Sequence, residues 1–161
     1  MGINLNKIRN GALAIFVLAS LAACGPKIKK NEARDFNPKD FPNVAGSIYG
    51  GWREMNPVVD GKGVEHSLSL YFNSLGDIGF VRKCNKGTDV VSSSATVPGT
   101  VKENEFEIKT AFNVKPEGKG SVASCELDIQ KGSVPFELDG NLLTIRDVLG
   151  ASIRYTRILS N

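Results

Sequence analysis

From Gly50 onward the chain alternates apolar and polar residues in short runs. Ser67-Leu68-Ser69-Leu70-Tyr71-Phe72 puts Leu68, Leu70 and Phe72 on one face. In Glu105-Phe106-Glu107-Ile108-Lys109-Thr110-Ala111-Phe112, the apolar Phe106, Ile108 and Phe112 point one way and the charges point the other. Ala123, Cys125, Leu127 and Ile129 oppose Ser124, Glu126, Asp128 and Gln130. A period of two is the mark of a strand with one buried and one wet face. No run after residue 23 carries a convincing helical period.

Turn chemistry separates the strands. Asn73-Ser74-Leu75-Gly76 precedes Ile78-Gly79-Phe80-Val81, and Pro98-Gly99 interrupts the long run from Val90 to Val101 with a bend or bulge. Lys102-Glu103-Asn104 reads as a turn and Pro116 to Gly120 as a longer loop. Lys131-Gly132-Ser133 and Asp139-Gly140-Asn141 are tight hairpin signals, and Gly150 makes the last turn before Ser152. The pattern predicts an all-β domain over 46–161, an antiparallel up-and-down β-barrel of eight or nine strands. Closure of the meander leaves no exposed edges.

Gly50-Gly51-Trp52 opens this meander and Arg154-Tyr155-Thr156-Arg157 ends it. The combination resembles the lipocalin, or wider calycin, pattern across roughly 46–159. The resemblance implies that Trp52 plugs one barrel end and that an arginine of the last strand, Arg154 or Arg157, stacks over it. An indole seals a barrel floor, and a guanidinium can stack on its face. The chain lacks the Thr-Asp-Tyr turn and the C-terminal helix of larger lipocalins. It is therefore more similar to the compact bacterial lipocalin-like lipoproteins.

The N-terminus is written differently. Lys7 and Arg9 precede an apolar stretch from Ala12 to Leu21, followed by Ala22-Ala23-Cys24. A basic region, a short apolar region and small residues before a cut site make a signal peptide. The apolar run is too short for a permanent transmembrane helix. Leu21-Ala22-Ala23-Cys24 resembles the bacterial lipobox. That resemblance implies cleavage between Ala23 and Cys24, a diacylglycerol on the Cys24 thiol and an acyl chain such as palmitate on the new amino group. Gly25, in place of an inner-membrane retention aspartate, points to an outer-membrane, periplasm-facing lipoprotein. The signal is 1–23. Residues 24–45, with Pro26, Pro38 and Pro42 and mixed charges, read as a flexible tether. Lys27, Lys29 and Lys30 lie near the lipid, where solubility is the simplest account of them.

Charge then excludes a partner class. Without residues 1–23 the chain holds 18 Lys plus Arg against 17 Asp plus Glu. No basic face emerges, so no nucleic-acid partner is expected. With Cys24 assigned to lipid, Cys84 and Cys125 remain, and in an exported domain such a pair closes a disulfide. Free thiols or a metal pair are the alternatives, and the wide spacing with one histidine argues against metal.

Candidate chemistry is sparse. His66 shares the face of Leu68 and Leu70 near a strand end. It is a candidate ligand contact, although a partly exposed rim histidine is the simpler reading. No Gly-x-Ser-x-Gly elbow accompanies it, and Glu103, Glu105 and Glu107 read as a solvated face. No catalytic residue, metal or cofactor is therefore expected. Val90 to Val97 carries small side chains on both faces, which leaves room for a small ligand. Phe72, Phe80, Phe106, Phe112, Phe136 and Tyr155 either fill that room or line it. Pro57 to Val64 is the candidate lid. The leading expectation is a non-enzymatic envelope lipoprotein binding a small apolar or amphipathic molecule, with Phe72, Phe80, Phe106, Phe112 and Tyr155 as contacts. The alternative is a protein-interaction or inhibitor module, similar in architecture to lipid-anchored lysozyme inhibitors, or a scaffold with a filled barrel.

Overall fold

The computed structural model describes residues 34–116, 125–146 and 151–159. Its strands are β1 (Gly50–Glu54), β2 (Val58–Val59), β3 (Glu65–Phe72), β4 (Asp77–Lys86), β5 (Asp89–Val101) and β6 (Glu105–Ile108). They continue with β7 (Phe112–Val114), β8 (Leu127–Ile129), β9 (Gly132–Asp139), β10 (Leu142–Arg146) and β11 (Ser152–Arg157). Eight of these, β1, β3, β4, β5, β6, β9, β10 and β11, pair antiparallel with their neighbours in chain order. β11 returns to β1, with Trp52 opposite Arg157, and closes the barrel. β2 extends the edge of β3 beyond β1. The expected all-β, up-and-down antiparallel barrel is the observed fold.

Alternation sets which side chains fill it. In β3, His66, Leu68, Leu70 and Phe72 are buried while Glu65, Ser67, Ser69 and Tyr71 are half-buried. Register then stacks layers: Phe72 faces Ile78 and Val97, Leu70 faces Phe80 and Ala95, and Leu68 faces Arg82 and Ser93. Trp52, Phe72, Phe80, Phe106 and Phe112 are fully buried.

Turns hold where the chemistry is local. Asn73 Oδ1 accepts from Leu75 N–H at 3.1 Å and Asp77 N–H at 3.0 Å, so the side chain shapes the β3–β4 turn. Gly140 has φ +56°, the left-handed region that the two-residue β9–β10 hairpin needs. At Pro98-Gly99, β5 exchanges β4 for β6 as its partner. A Cβ on Gly99 would lie 2.3 Å from Ile78 Cδ1, which explains glycine at this crossing.

Three expectations need correction. The run 105–112 is not one strand: β6 stops at Ile108, Lys109 N–H turns to Pro98 O at 3.1 Å, and Phe112 starts β7. Gly132 does not close a hairpin, because β8 pairs with β7 while β9 pairs with β6. The β7–β8 hairpin is thus the outer end of the β6–β9 ladder, resumed one residue out of register at Phe112↔Ile129 beyond Ile108↔Gly132. The third concerns the tether. Residues 34–45 are docked, with Arg34 bridging Thr96, a 3-10 turn at Pro38–Asp40, and Phe41 buried against Tyr71. Aromatic burial and side-chain capping outweigh the loose composition there. Residues 24–33, most of the Pro116–Gly120 loop, and Gly150 lie outside the described residues.

Candidate functional site

The two barrel ends differ. At one end Trp52 is fully buried and its Nε1–H donates to Ile48 O at 2.7 Å. The Arg157 guanidinium sits 4.2 Å from the indole centroid. Its Nη1 donates to Tyr49 O at 2.9 Å, and Nη2 donates to Ser47 O. One arginine therefore caps the plug and ties down the segment that closes it. Burial lowers its pKa from the usual guanidinium value. Arg154 is not the cap: Tyr155 and Arg157 point inward, so alternation sends Arg154 to solvent. Gly50, with φ +123°, is also forced, since a Cβ there would lie 2.0 Å from Asn43 Oδ1.

At the other end β4 and β5 turn Arg82, Cys84, Val91 and Ser93 inward, beside His66 of β3. Cys84 and Cys125 form a disulfide with Cα atoms 5.7 Å apart. Ser93 Oγ donates to Cys125 O at 2.6 Å and Arg82 Nη1 to Glu126 O at 3.0 Å. The chain entering β8 is thereby pinned across the inner faces of β4 and β5. Phe112, Leu127 and Ile129 of the hairpin are buried with the barrel core, and Phe112 lies 5.7 Å from Phe80, ring to ring.

His66 is not a partly exposed rim residue; it is 8% exposed and held on both sides. Arg82 Nη2 lies 3.1 Å from Nδ1, and Asp60 Oδ2 lies 3.0 Å from Nε2. Arginine can only donate, so Nδ1 accepts and the ring proton sits on Nε2, donated to Asp60. Cys84 Sγ is 3.4 Å from the same Nδ1. Asp60 also accepts from Lys62 N–H at 2.8 Å and Val64 N–H at 3.0 Å. The His66 hydrogen bond, followed by that from Val64, holds the Asp60 carboxyl at about 2. The candidate lid Pro57–Val64 is therefore a fastened loop, with Val64 buried against the disulfide.

Arg82 is 2% exposed, and its burial depresses its pKa while Glu54 and Glu126 oppose that shift. Glu54 Oε2 accepts from Leu68 N–H at 2.9 Å. Tyr155 is pushed well above the usual phenol value, by burial first and by Glu54 second. It stays protonated across the physiological range.

Sequence reading missed Arg82, Asp60, Glu54 and Ser93 as members of this network. Parity carried the signal for Arg82: Ile78, Phe80, Arg82 and Cys84 alternate onto one face, but a charged residue breaks the apolar run. Phe72, Phe80, Phe106, Phe112 and Tyr155, expected as ligand contacts, are each at most 3% exposed. Phe72 and Phe106 meet edge to face at 4.9 Å, and Phe106 stacks with Phe136 at 6.4 Å. Phe72, Phe106 and Phe136 thus form one aromatic set, and Phe80 with Phe112 another. Among the described residues no group of three or more His, Cys, Asp or Glu side chains is placed to hold a metal ion. Ala23 and Cys24 lie outside the described residues. No family model, curated protein or solved structure matches the chain.

Proposed function

We propose that the protein is a lipid-anchored envelope lipoprotein, non-enzymatic, whose filled barrel is an interaction or scaffold module. The supporting observation is the packing of Phe72, Phe80, Phe106 and Phe112 among themselves and Phe136. A carrier would have to part these rings, losing roughly 0.5–1.5 kcal/mol per aromatic pair beyond the exposed area. The mouth argues the same way, because a disulfide and two side-chain-to-backbone bonds hold the chain entering β8 across it. His66 offers no free ring nitrogen there. Recognition by the outer surface is the reading that fits.

Lipid extraction and mass spectrometry of the native protein, with an apolar dye titration, test this directly. The expected result is no stoichiometric non-covalent lipid beyond the acyl chains on Cys24, and no saturable dye site. A bound lipid that the dye displaces restores the small-ligand carrier.

The anchor rests on Leu21-Ala22-Ala23-Cys24 behind a basic, then apolar, segment. Gly25 favours the outer membrane facing the periplasm. Cys24→Ser is expected to leave an uncut precursor without lipid. A variant that is still membrane-bound and correctly cut removes the anchor from the proposal.

A further inference from the structure

β5 has two edges, and one is only partly used. Along its length β4 pairs with Asp89 to Pro98, whereas β6 pairs only with Gly99, Thr100 and Val101. Backbone parity shows what this leaves. Thr96 exchanges two bonds of 2.9 Å with Arg34, and Pro98 O accepts from Lys109, so even-numbered residues direct their backbone groups away from β4. Gly99 N–H, an odd position, bonds instead to Gly76 O on the β4 side at 2.9 Å. Val90, Ser92 and Ser94 therefore aim N–H and C=O at the side that β6 has left. No described strand pairs with them there.

Such an edge is a template for another strand. Lysine, arginine and proline, which guard many such edges, do not occur from Val90 to Val97. Val90 is 64% exposed, and Ser92 and Ser94 are exposed. The window is bounded by the Arg34 bridge at Thr96 and by the β4–β5 turn before Asp89. Its centre is Ser92.

We propose that this edge pairs antiparallel with the same edge of a second copy, around a twofold axis at Ser92. The proposal stands apart from the choice between module and carrier. Reversal places Val90 opposite Ser94 of the partner subunit and Ser92 opposite Ser92 of the partner subunit. Three hydrogen-bonded pairs exchange about six bonds. Every facing side chain is a hydroxyl or a valine, so no charge meets its like. The nearest outward charge is Lys83, beside Ser92 on β4. Its symmetry mate lies about three strand spacings away, roughly 14 Å. That exceeds the screening length of about 8 Å at physiological salt. A five-residue ladder is a small interface, so the dimer is weak in dilute solution and favoured where copies are confined together.

Full-length protein in native membranes provides the test. Ser92→Cys, under mild oxidation, is expected to form at least tenfold more covalent dimer than Ser152→Cys, an exposed control on β11. Adding Ser94→Lys, which brings an ammonium to the ladder, is expected to return the yield to the control level. Hydrogen exchange on the unmodified protein is the second measurement. Protection of the Val90, Ser92 and Ser94 amides should rise with the density of protein in the membrane. Equal cross-linking at the two sites, insensitivity to Ser94→Lys, or edge protection that is the same at every dilution overturns the proposal.

Discussion

Asp60 joins loop and barrel through one carboxylate. It accepts two backbone N–H groups of its own turn and the Nε2–H of His66, whose other nitrogen accepts from Arg82. Its carboxyl is held at about 2 against an ordinary 3.8. A folded-state value below the unfolded one stabilises the fold above the unfolded value. That contribution is lost as pH falls from 3.8 to about 2. Denaturant midpoints of wild type and Asp60→Asn across this window are expected to converge as pH falls. A constant gap would show that the carboxylate charge is not what the network uses. Trp52 belongs to the same scale. Its indole is wholly buried, bonded and capped. Trp52→Ala is expected to cost about 3–5 kcal/mol in equilibrium unfolding. A loss below about 1 kcal/mol would mean that the plug is dispensable.

At the scale of elements, the β7–β8 hairpin behaves unlike the strands around it. The barrel strands are held by ladders on both sides, whereas β7 and β8 pair only with each other. What fixes the hairpin is side chains: the Cys84–Cys125 link, Ser93, Arg82, and the buried Phe112, Leu127 and Ile129. Replacing both cysteines by serine is expected to cost up to about 4 kcal/mol from loop entropy. Loss of exchange protection should concentrate in the Phe112–Val114 and Leu127–Ile129 amides. Uniform loss across β3 and β4 would show that the link staples the whole barrel instead. This division explains what the chain made legible. Period-two alternation in 67–72 and 105–108, and the Asp139-Gly140-Asn141 turn, are local rules and were readable as strands and hairpin. Phe112 and Leu127 also alternate correctly, but period two is blind to partner choice. Nothing in the spacing says that the β6–β9 ladder breaks at Ile108↔Gly132 and resumes one residue out of register at Phe112↔Ile129. The polar knot at the mouth was hidden for the same reason. Asp60, His66, Arg82 and Cys125 come from four segments, and only register brings them together.

For the molecule as a whole, the docked arm sets how far the barrel would stand from the anchor proposed at Cys24. Phe36 lies 4.6 Å from the Tyr71 ring and 5.6 Å from Phe41, centroid to centroid. Gly79 makes room for it, since a Cβ there would come within 2.7 Å of the Phe36 ring. Asn73 donates to Asp40 O at 3.2 Å and Asn43 to Ile158 O at 2.7 Å, while Arg34 pairs with Asp77. The arm therefore belongs to the folded body from Arg34 onward. A chain held in a membrane at Cys24 has ten residue steps before that body begins, an upper span of about 35 Å at ~3.5 Å per residue. A tether that ran to residue 45 would allow about 75 Å by the same measure. Phe36→Ser together with Phe41→Ser removes the aromatic contacts and should release the arm. Energy transfer from a donor on the barrel to an acceptor in the bilayer surface is expected to fall in that variant, and trypsin should gain access to Lys39. Unchanged transfer alongside gained cleavage would mean that the barrel rests on the membrane by its own surface. The arm would then order the chain without setting its height.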